Sequence, residues 1–544
     1  PAWRLADPDR DGIWEKTVAL DDLQRPLDGD IPRFRFVVDG EDGLPVPTNA
    51  PNASTNAAGE AVYALDAATD HVDVLRVTTG QPVSLTNAFL VSVNGLRGGP
   101  LWAPVTLGDA RWLPTSIQAL GAVEAADGRG ALRCYAPRAG RVSAVLAEAD
   151  AAPRTVALHR NSDGTWESAA LDLSTARAYA YRVDGPSDPG EAFRPLDEIA
   201  DPYARAVAAE SGRALLVDPD GTNRWFAGWT DDDFVPVPRH EAVIYEADVG
   251  DFTGHASAGV PGRLRGTFAG LAASATRDTG LGHLKRIGVN TVALAPVTVT
   301  CTASNAACRG RSAGLLFAPC ASHATAPAEA SQYYEFKALV NRLHREGFAV
   351  ILDIDAAQLA RETVLRRFGR SVYLRQRPGG EAGRSRAATA RHLQTEAPMV
   401  RRLLVDSIRY WIEEHHVDGI RLKHVACIDR ATLQAVREAV REVKPTAWLI
   451  AQAGRDRWID KARLAATGWS VWNDDYAREV VDYLRGTGTR RRLQALLNGS
   501  VAAWSGTPVQ SVNALASLPQ SLADRLAFNA SGKAHDPARA AAFQ

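Results

Sequence analysis

The stretch Phe336-Lys337-Ala338-Leu339-Val340-Asn341-Arg342-Leu343-His344-Arg345-Glu346-Gly347-Phe348-Ala349-Val350-Ile351-Leu352-Asp353 decides the fold. Phe336, Leu339, Val340 and Leu343 recur at helical spacing, and the apolar run Ala349–Asp353 follows as a strand candidate. The same rhythm surrounds it. Val243-Ile244-Tyr245-Glu246-Ala247 reads as a strand, Leu281, Leu284 and Ile287 share one helical face, and Val292-Ala293-Leu294-Ala295-Pro296 is the next strand. Further on, Ile408, Trp411 and Ile412 precede Gly419-Ile420-Arg421-Leu422. Strands alternating with helices predict an α/β domain with a parallel sheet, and a run this long, from about 240 to 544, predicts a (β/α)8-type TIM barrel. Chemistry in such barrels sits where the strands end.

Two β-rich regions precede it. Arg33-Phe34-Arg35-Phe36-Val37-Val38-Asp39-Gly40 alternates and then meets an Asp-Gly turn, so residues 1–105 are expected to be a β-sandwich. Short strands between turns from Ala131 to Val183 predict a second sandwich over 115–235. With 63 acidic against 62 basic residues, no net field draws the chain to nucleic acid or to an anionic membrane. It contains no apolar run long enough for a membrane span, and its start shows no leader pattern. Five cysteines in 544 residues are no disulfide framework and indicate a reducing compartment. Cys301, Cys308, Cys320 and His323 lie close in sequence but lack paired Cys-x-x-Cys spacing, so they read as loop thiols rather than a metal site, and no cofactor is expected. The arginines from Arg366 to Arg391 read as a solvated surface.

Several ordered segments resemble the isoamylase and glycogen-debranching branch of the α-amylase superfamily, glycoside hydrolase family 13. They are Tyr181-Arg182-Val183-Asp184-Gly185-Pro186, Asp201-Pro202-Tyr203-Ala204-Arg205-Ala206, Val243–Ala247, Arg265-Gly266-Thr267-Phe268-Ala269-Gly270-Leu271, His283–Asn290, Asp406-Ser407-Ile408-Arg409-Tyr410-Trp411 and Trp472-Asn473-Asp474. The resemblance covers about residues 115–530 and implies a TIM-barrel glycosidase preceded by a carbohydrate-binding sandwich. The first hundred residues are similar to a glycogen-binding module. There Trp3 and Trp14 either stack on sugar rings or belong to the core.

A retaining glycosidase needs a carboxylate nucleophile and a carboxylic acid about 5 Å from it. The resemblance puts the family's nucleophile at Lys423, its general acid at Gln452, and its third carboxylate, with the preceding histidine, at Pro519 and Leu518. An ammonium cannot attack an anomeric carbon, and an amide cannot deliver the proton. The asparagine and histidine expected after Asp353 become Ala357 and Gln358, and the aromatic sugar floor maps to Cys308-Arg309-Gly310-Arg311-Ser312. Asp353, Arg421 and Asn513 match the family and are the expected sugar-binding residues.

The resemblance therefore implies a catalytically inactive, soluble, intracellular protein of α-glucan metabolism, cytoplasmic or plastidial. It would bind the polysaccharide or form a hetero-oligomer with an active debranching enzyme, as non-catalytic members do. Two alternatives stay open: an active α-1,6-glucosidase using Asp355, Glu413, Glu414, Asp429, Asp456 or Asp474, and a scaffold with a remnant barrel. Val512-Asn513 resembles the family's seventh strand with about thirty residues after it, so the last strand and the C-terminal β domain are expected to be missing.

Overall fold

The computed structural model describes residues 113–514 apart from interior stretches, among them 299–313, 376–391, 453–463 and 497–506; before residue 113 it describes only short strands. The chain divides into two units, 1–82 with 378–381, and 83–377 with 382–544. The first holds β1 (Arg33–Phe34), β2 (Ala53–Thr55) and β3 (Ala61–Ala64) in one antiparallel sheet.

In the second unit, β4 (Phe89–Val93) and β5 (Leu101–Val105) form a hairpin ahead of an antiparallel sandwich. The sandwich strands are β6 (Gly121–Glu124), β7 (Arg129–Tyr135), β8 (Arg141–Glu148), β9 (Arg154–Arg160), β10 (Thr165–Ser168), β11 (Leu171–Asp172), β12 (Ala176–Asp184) and β13 (Ala214–Leu215). β12 is buried continuously from Ala178 to Tyr181, around a register shift between Ala176 and Ala178, and alternates only beyond, where Val183 is buried between half-buried neighbours.

Seven parallel strands follow, paired in chain order: β14 (Ile244–Ala247), β15 (Thr291–Leu294), β16 (Ala349–Ile354), β17 (Gly419–Lys423), β18 (Trp448–Gln452), β19 (Ser470–Asn473) and β20 (Ser511–Asn513). The helices between them are α1 (Val249–Gly254), α2 (Phe268–Ala273), α3 (Leu281–Arg286), α4 (Ser331–Arg345), α5 (Leu365–Tyr373), α6 (Pro398–Glu413), α7 (Arg430–Val443) and α8 (Asp474–Leu484). Phe336, Leu339, Val340 and Leu343 of α4 are all fully buried, as their spacing predicts. The inner face of the sheet carries its own apolar cluster of Ala293, Ile351, Ile450, Trp472 and Val512.

Two expectations need correction. Ile287 is 56% exposed. Helix α3 stops at Arg286, Ile287 takes the C-cap position, and the buried stripe ends with Leu284. Arg366, Arg367 and Arg370 are not a solvated run. They lie half-buried on α5, where Arg367 donates to the Ala192 carbonyl at 2.8 Å.

The sandwich is fastened to the barrel helices by polar contacts. Tyr203 stacks on Phe317 (4.7 Å between centroids) and donates its hydroxyl to Asp406 of α6 at 3.0 Å. Arg402 of α6 donates to the Ser116 and Gln118 carbonyls at 2.7 and 2.8 Å. Tyr373 of α5 donates to the Tyr135 carbonyl at 2.8 Å.

Candidate functional site

The inner face at the C-terminal ends of the strands is built by alternation. Glu246 on β14, Asp353 on β16 and Gln452 on β18 follow Ile244, Ile351 and Ile450 of the inner apolar cluster at two-residue spacing, and Arg421 and Lys423 stand two apart on β17. The structure brings four of them into one ion cluster. Arg421 makes a bidentate pair with Asp353, Nε–Oδ1 at 2.6 Å and Nη2–Oδ2 at 2.5 Å, and reaches Glu246 Oε1 with Nη1 at 2.6 Å. Lys423 Nζ lies 2.9 Å from Asp353 Oδ2. The ring of Trp472 underlies the guanidinium, 4.3 Å from its centroid.

This cluster is buried, and it balances two carboxylates with two cations. Desolvation pushes Asp353 up, but the Arg421 and Lys423 charges outweigh it and hold the carboxyl below its usual range. Desolvation likewise works against the Arg421 charge, and Asp353 and Glu246 more than compensate, so its pKa is raised. Lys423 stands opposite Gln452 in the β17–β18 register. Among the described residues the buried Gln452 Oε1 has no hydrogen-bond partner. Beside the cluster, Asp355 lies 3.7 Å from His424 Nε2, and His424 adopts a left-handed backbone (φ 52°) just after β17.

Asp353, Arg421, Lys423 and Gln452 are thus neighbours at the strand ends. Asn513 engages other partners, accepting from Asn473 Nδ2 and Ser511 Oγ, each at 2.9 Å. Trp3, Trp14 and Pro519 lie outside the described residues, as do Cys301, Cys308, Ala357, Gln358 and Asp456. Three alternative carboxylates have structural work elsewhere. Glu413 pairs with Arg409 along α6, Glu414 meets Tyr333 and the buried Lys337, and Asp429 caps α7 by accepting from the Thr432 amide at 3.0 Å. Cys320 is buried, His323 hydrogen-bonds the Gly266 carbonyl at 2.9 Å, and among the described residues no group of three ligand-type side chains could hold a metal ion. Sequence reasoning missed Glu246 and Trp472 as site residues. The signal was available in β14, where Glu246 stands two residues after Ile244 and so shares its inner face.

As chemistry, the arrangement offers no free carboxylate where the resemblance puts the nucleophile and no ionisable group where it puts the acid. What it offers at the strand ends is an ammonium, an amide and a carboxylate–imidazole pair.

The isoamylase N-terminal domain, carbohydrate-binding module 48, matches residues 119–204, the span of β6 to β12 and the Asp201–Tyr203 anchor. A glycogen operon protein GlgX homolog of Mycobacterium tuberculosis is 27% identical over 74% of this chain and 62% of its own length. Isoamylase 2, chloroplastic, of Arabidopsis thaliana is 26% identical over 63% of this chain and 37% of its own length. Among solved structures, a Paenibacillus barengoltzii pullulanase in complex with maltohexaose and α-cyclodextrin superposes with a TM-score of 0.58 at 26% identity, covering 69% of this chain and 60% of that one. The chain therefore spans about three-fifths or less of the length of these relatives. Among the described residues no helix is long and apolar enough to cross a membrane. The module at 119–204, the parallel barrel strands in chain order and these relatives make the chain similar to the isoamylase and glycogen-debranching branch of glycoside hydrolase family 13.

Proposed function

We propose that this chain is a non-catalytic member of its branch that binds α-glucan. The observation that carries the reading is the Lys423–Asp353 pair at 2.9 Å. With Lys423 at the position assigned to the nucleophile, the one matched carboxylate is occupied by two cations instead of being poised beside a second acid. An oxocarbenium ion forming here would meet an ammonium where a hydrolase presents negative charge, and loss of such preorganised electrostatics is worth about 3–4 kcal/mol per group in barrier height. Association with an active debranching enzyme fits a protein of this kind, with turnover supplied by the partner. The relatives' names and titles, which speak of glycogen, isoamylase and maltooligosaccharide complexes, support α-glucan as the ligand class.

Asp355 with His424 favours the second reading, an active α-1,6-glucosidase with a relocated carboxylate, because it is a buried acid at the same strand ends. One assay separates the two. Purified protein is incubated with glycogen and pullulan and reducing ends are measured, alongside Asp355→Asn. The first reading expects no release above buffer from either protein; release that disappears in Asp355→Asn overturns it in favour of the second.

A further inference from the structure

A groove of about 680 Å³ lies between the sandwich and the outer face of α6, away from the strand ends. Leu120, Leu216, Tyr203 and Tyr410 give it apolar walls, and charged side chains of both signs stand among them. Most of these charges are already neutralised in place. Arg402 donates to the Ser116 and Gln118 carbonyls and pairs with Asp406, Arg409 pairs with Glu413, and Glu414 pairs with the buried Lys337.

Three lining charges are left over. Arg205 makes neither a hydrogen bond nor an ion pair among the described residues; its half-buried guanidinium stands over the Tyr410 ring, 5.6 Å from the centroid. Asp218 and Asp220 sit in an exposed turn after β13, where Asp218 accepts from the Asp220 amide at 3.1 Å, and among the described residues neither is in an ion pair. A guanidinium half withdrawn from water, with its planar fork of donors unused, matches a carboxylate. The two turn carboxylates match an ammonium, and they oppose a bare anion, above all a doubly charged phosphate. The walls select an apolar body, and the volume is that of a drug-sized ligand rather than of a single amino acid. One class of molecule carries a carboxylate, an ammonium and an apolar body between them.

We infer that this groove binds a short peptide with apolar side chains, its free carboxylate on Arg205 and its ammonium toward Asp218 and Asp220. The site stands apart from the strand-end cluster and does not depend on the α-glucan reading.

The test is calorimetric titration of the full chain with leucyl-leucine, its C-terminal amide and its N-acetyl form. Wild type should bind the free dipeptide, and amidation or acetylation should each weaken binding about tenfold, the effect of losing a hydrogen bond between charged groups. Arg205→Ala should cost the same factor, and in that variant amidation should cost nothing more. Asp218→Asn combined with Asp220→Asn should likewise cancel the effect of acetylation. Because Arg205 pairs with no other group among the described residues, Arg205→Ala should leave the thermal melt unchanged, and Arg205→Lys should recover part of the affinity. Ala119→Trp, which adds bulk at an exposed lining position, should block binding with the melt again unchanged. The site is overturned by no binding to wild type, by binding that survives both Arg205→Ala and Ala119→Trp, or by either blocked form binding wild type as tightly as the free dipeptide. Inorganic phosphate that displaces the dipeptide, and is itself lost in Arg205→Ala, overturns the peptide in favour of a simple anion.

Discussion

The two ends of the barrel each hold a buried ion network, and they have different characters. At the N-terminal ends of the strands, His344 bridges two carboxylates, Nδ1 to Asp231 at 2.7 Å and Nε2 to Asp418 at 3.0 Å. Asp418 also accepts from the Val350 amide at 2.7 Å and from Lys444 at 2.8 Å, while Asp231 takes His416, whose ring stacks on Trp229 at 3.7 Å. The partners come from five segments: the linker after the sandwich, α4, β16, the turn before β17 and the end of α7. At the C-terminal ends, Glu246, Asp353, Arg421 and Lys423 are also paired, but the buried Gln452 carbonyl has no hydrogen-bond partner among the described residues. The lower network ties linker, helices and strands together, as expected of the face that carries stability in a barrel; the upper one occupies the face that carries chemistry.

If that contrast is right, the largest effect should come from the lower network. His344→Leu takes one of two partners from Asp231 and one of three from Asp418, and should cost about 3–5 kcal/mol in urea unfolding. Both ring nitrogens face carboxylate oxygens, which only the doubly protonated ring can serve, so a neutral isostere should not restore the loss. A cost under 1 kcal/mol would break the comparison.

The difference between the two ends also explains what the sequence made legible. Barrel strands and the α4 face could be read because burial imposes a period, and four of the inner-face residues at the mouth sit on those strands. The resemblance located Asp353, Arg421, Lys423 and Gln452 at neighbouring strand ends. It could not show that Lys423 would pair with Asp353, because that depends on side-chain reach across β16 and β17 rather than on spacing along one strand. Asn513 was legible as a position, but its actual partners, Asn473 and Ser511, follow from the β19–β20 register. The joints at Asp231 and His344 were not read at all, since they link residues 113 apart with no periodic signal. Ile287 failed for a local reason, the helix ending one residue before it.

The second prediction sharpens the comparison through pH and brings in the sandwich. Burial pushes Asp201 up to about 6, against the Tyr203 amide at 2.7 Å and the Tyr179 hydroxyl at 3.0 Å that favour its charged form. A carboxyl whose folded pKa is raised contributes stability below its ordinary value near 4 and loses it as pH rises through about 6. Asp231, Asp353 and Asp418 are held low despite burial, by His344 and His416, by Arg421 and Lys423, and by His344 and Lys444 respectively. Their contribution is present above the ordinary value and fades as pH falls below it. The stability of Asp201→Asn minus that of wild type should therefore grow between pH 4 and 7 by about 3 kcal/mol, the equivalent of roughly two pKa units. Parallel profiles for the two proteins would show that Asp201 does not titrate in this range.

The smallest effect should come from the mouth. Lys423→Met removes one charged hydrogen bond from Asp353, but the bidentate Arg421 pair stays, so no carboxylate is left alone and the cost should be about 2 kcal/mol. Lys423→Asp should cost more, because it sets a second carboxylate within reach of Asp353, and like charges in a buried site oppose each other's ionisation. That extra cost should shrink in the Asp353→Asn background, where the repulsion has no partner, and a double-mutant cycle of the two positions measures it. Lys423→Asp should release no reducing ends from glycogen, since Gln452 still supplies no proton. If it instead proves as stable as wild type and hydrolyses the substrate, the mouth is a suspended hydrolase site and not a rewired one. The contrast between the two ends of the barrel would then reduce to a single residue.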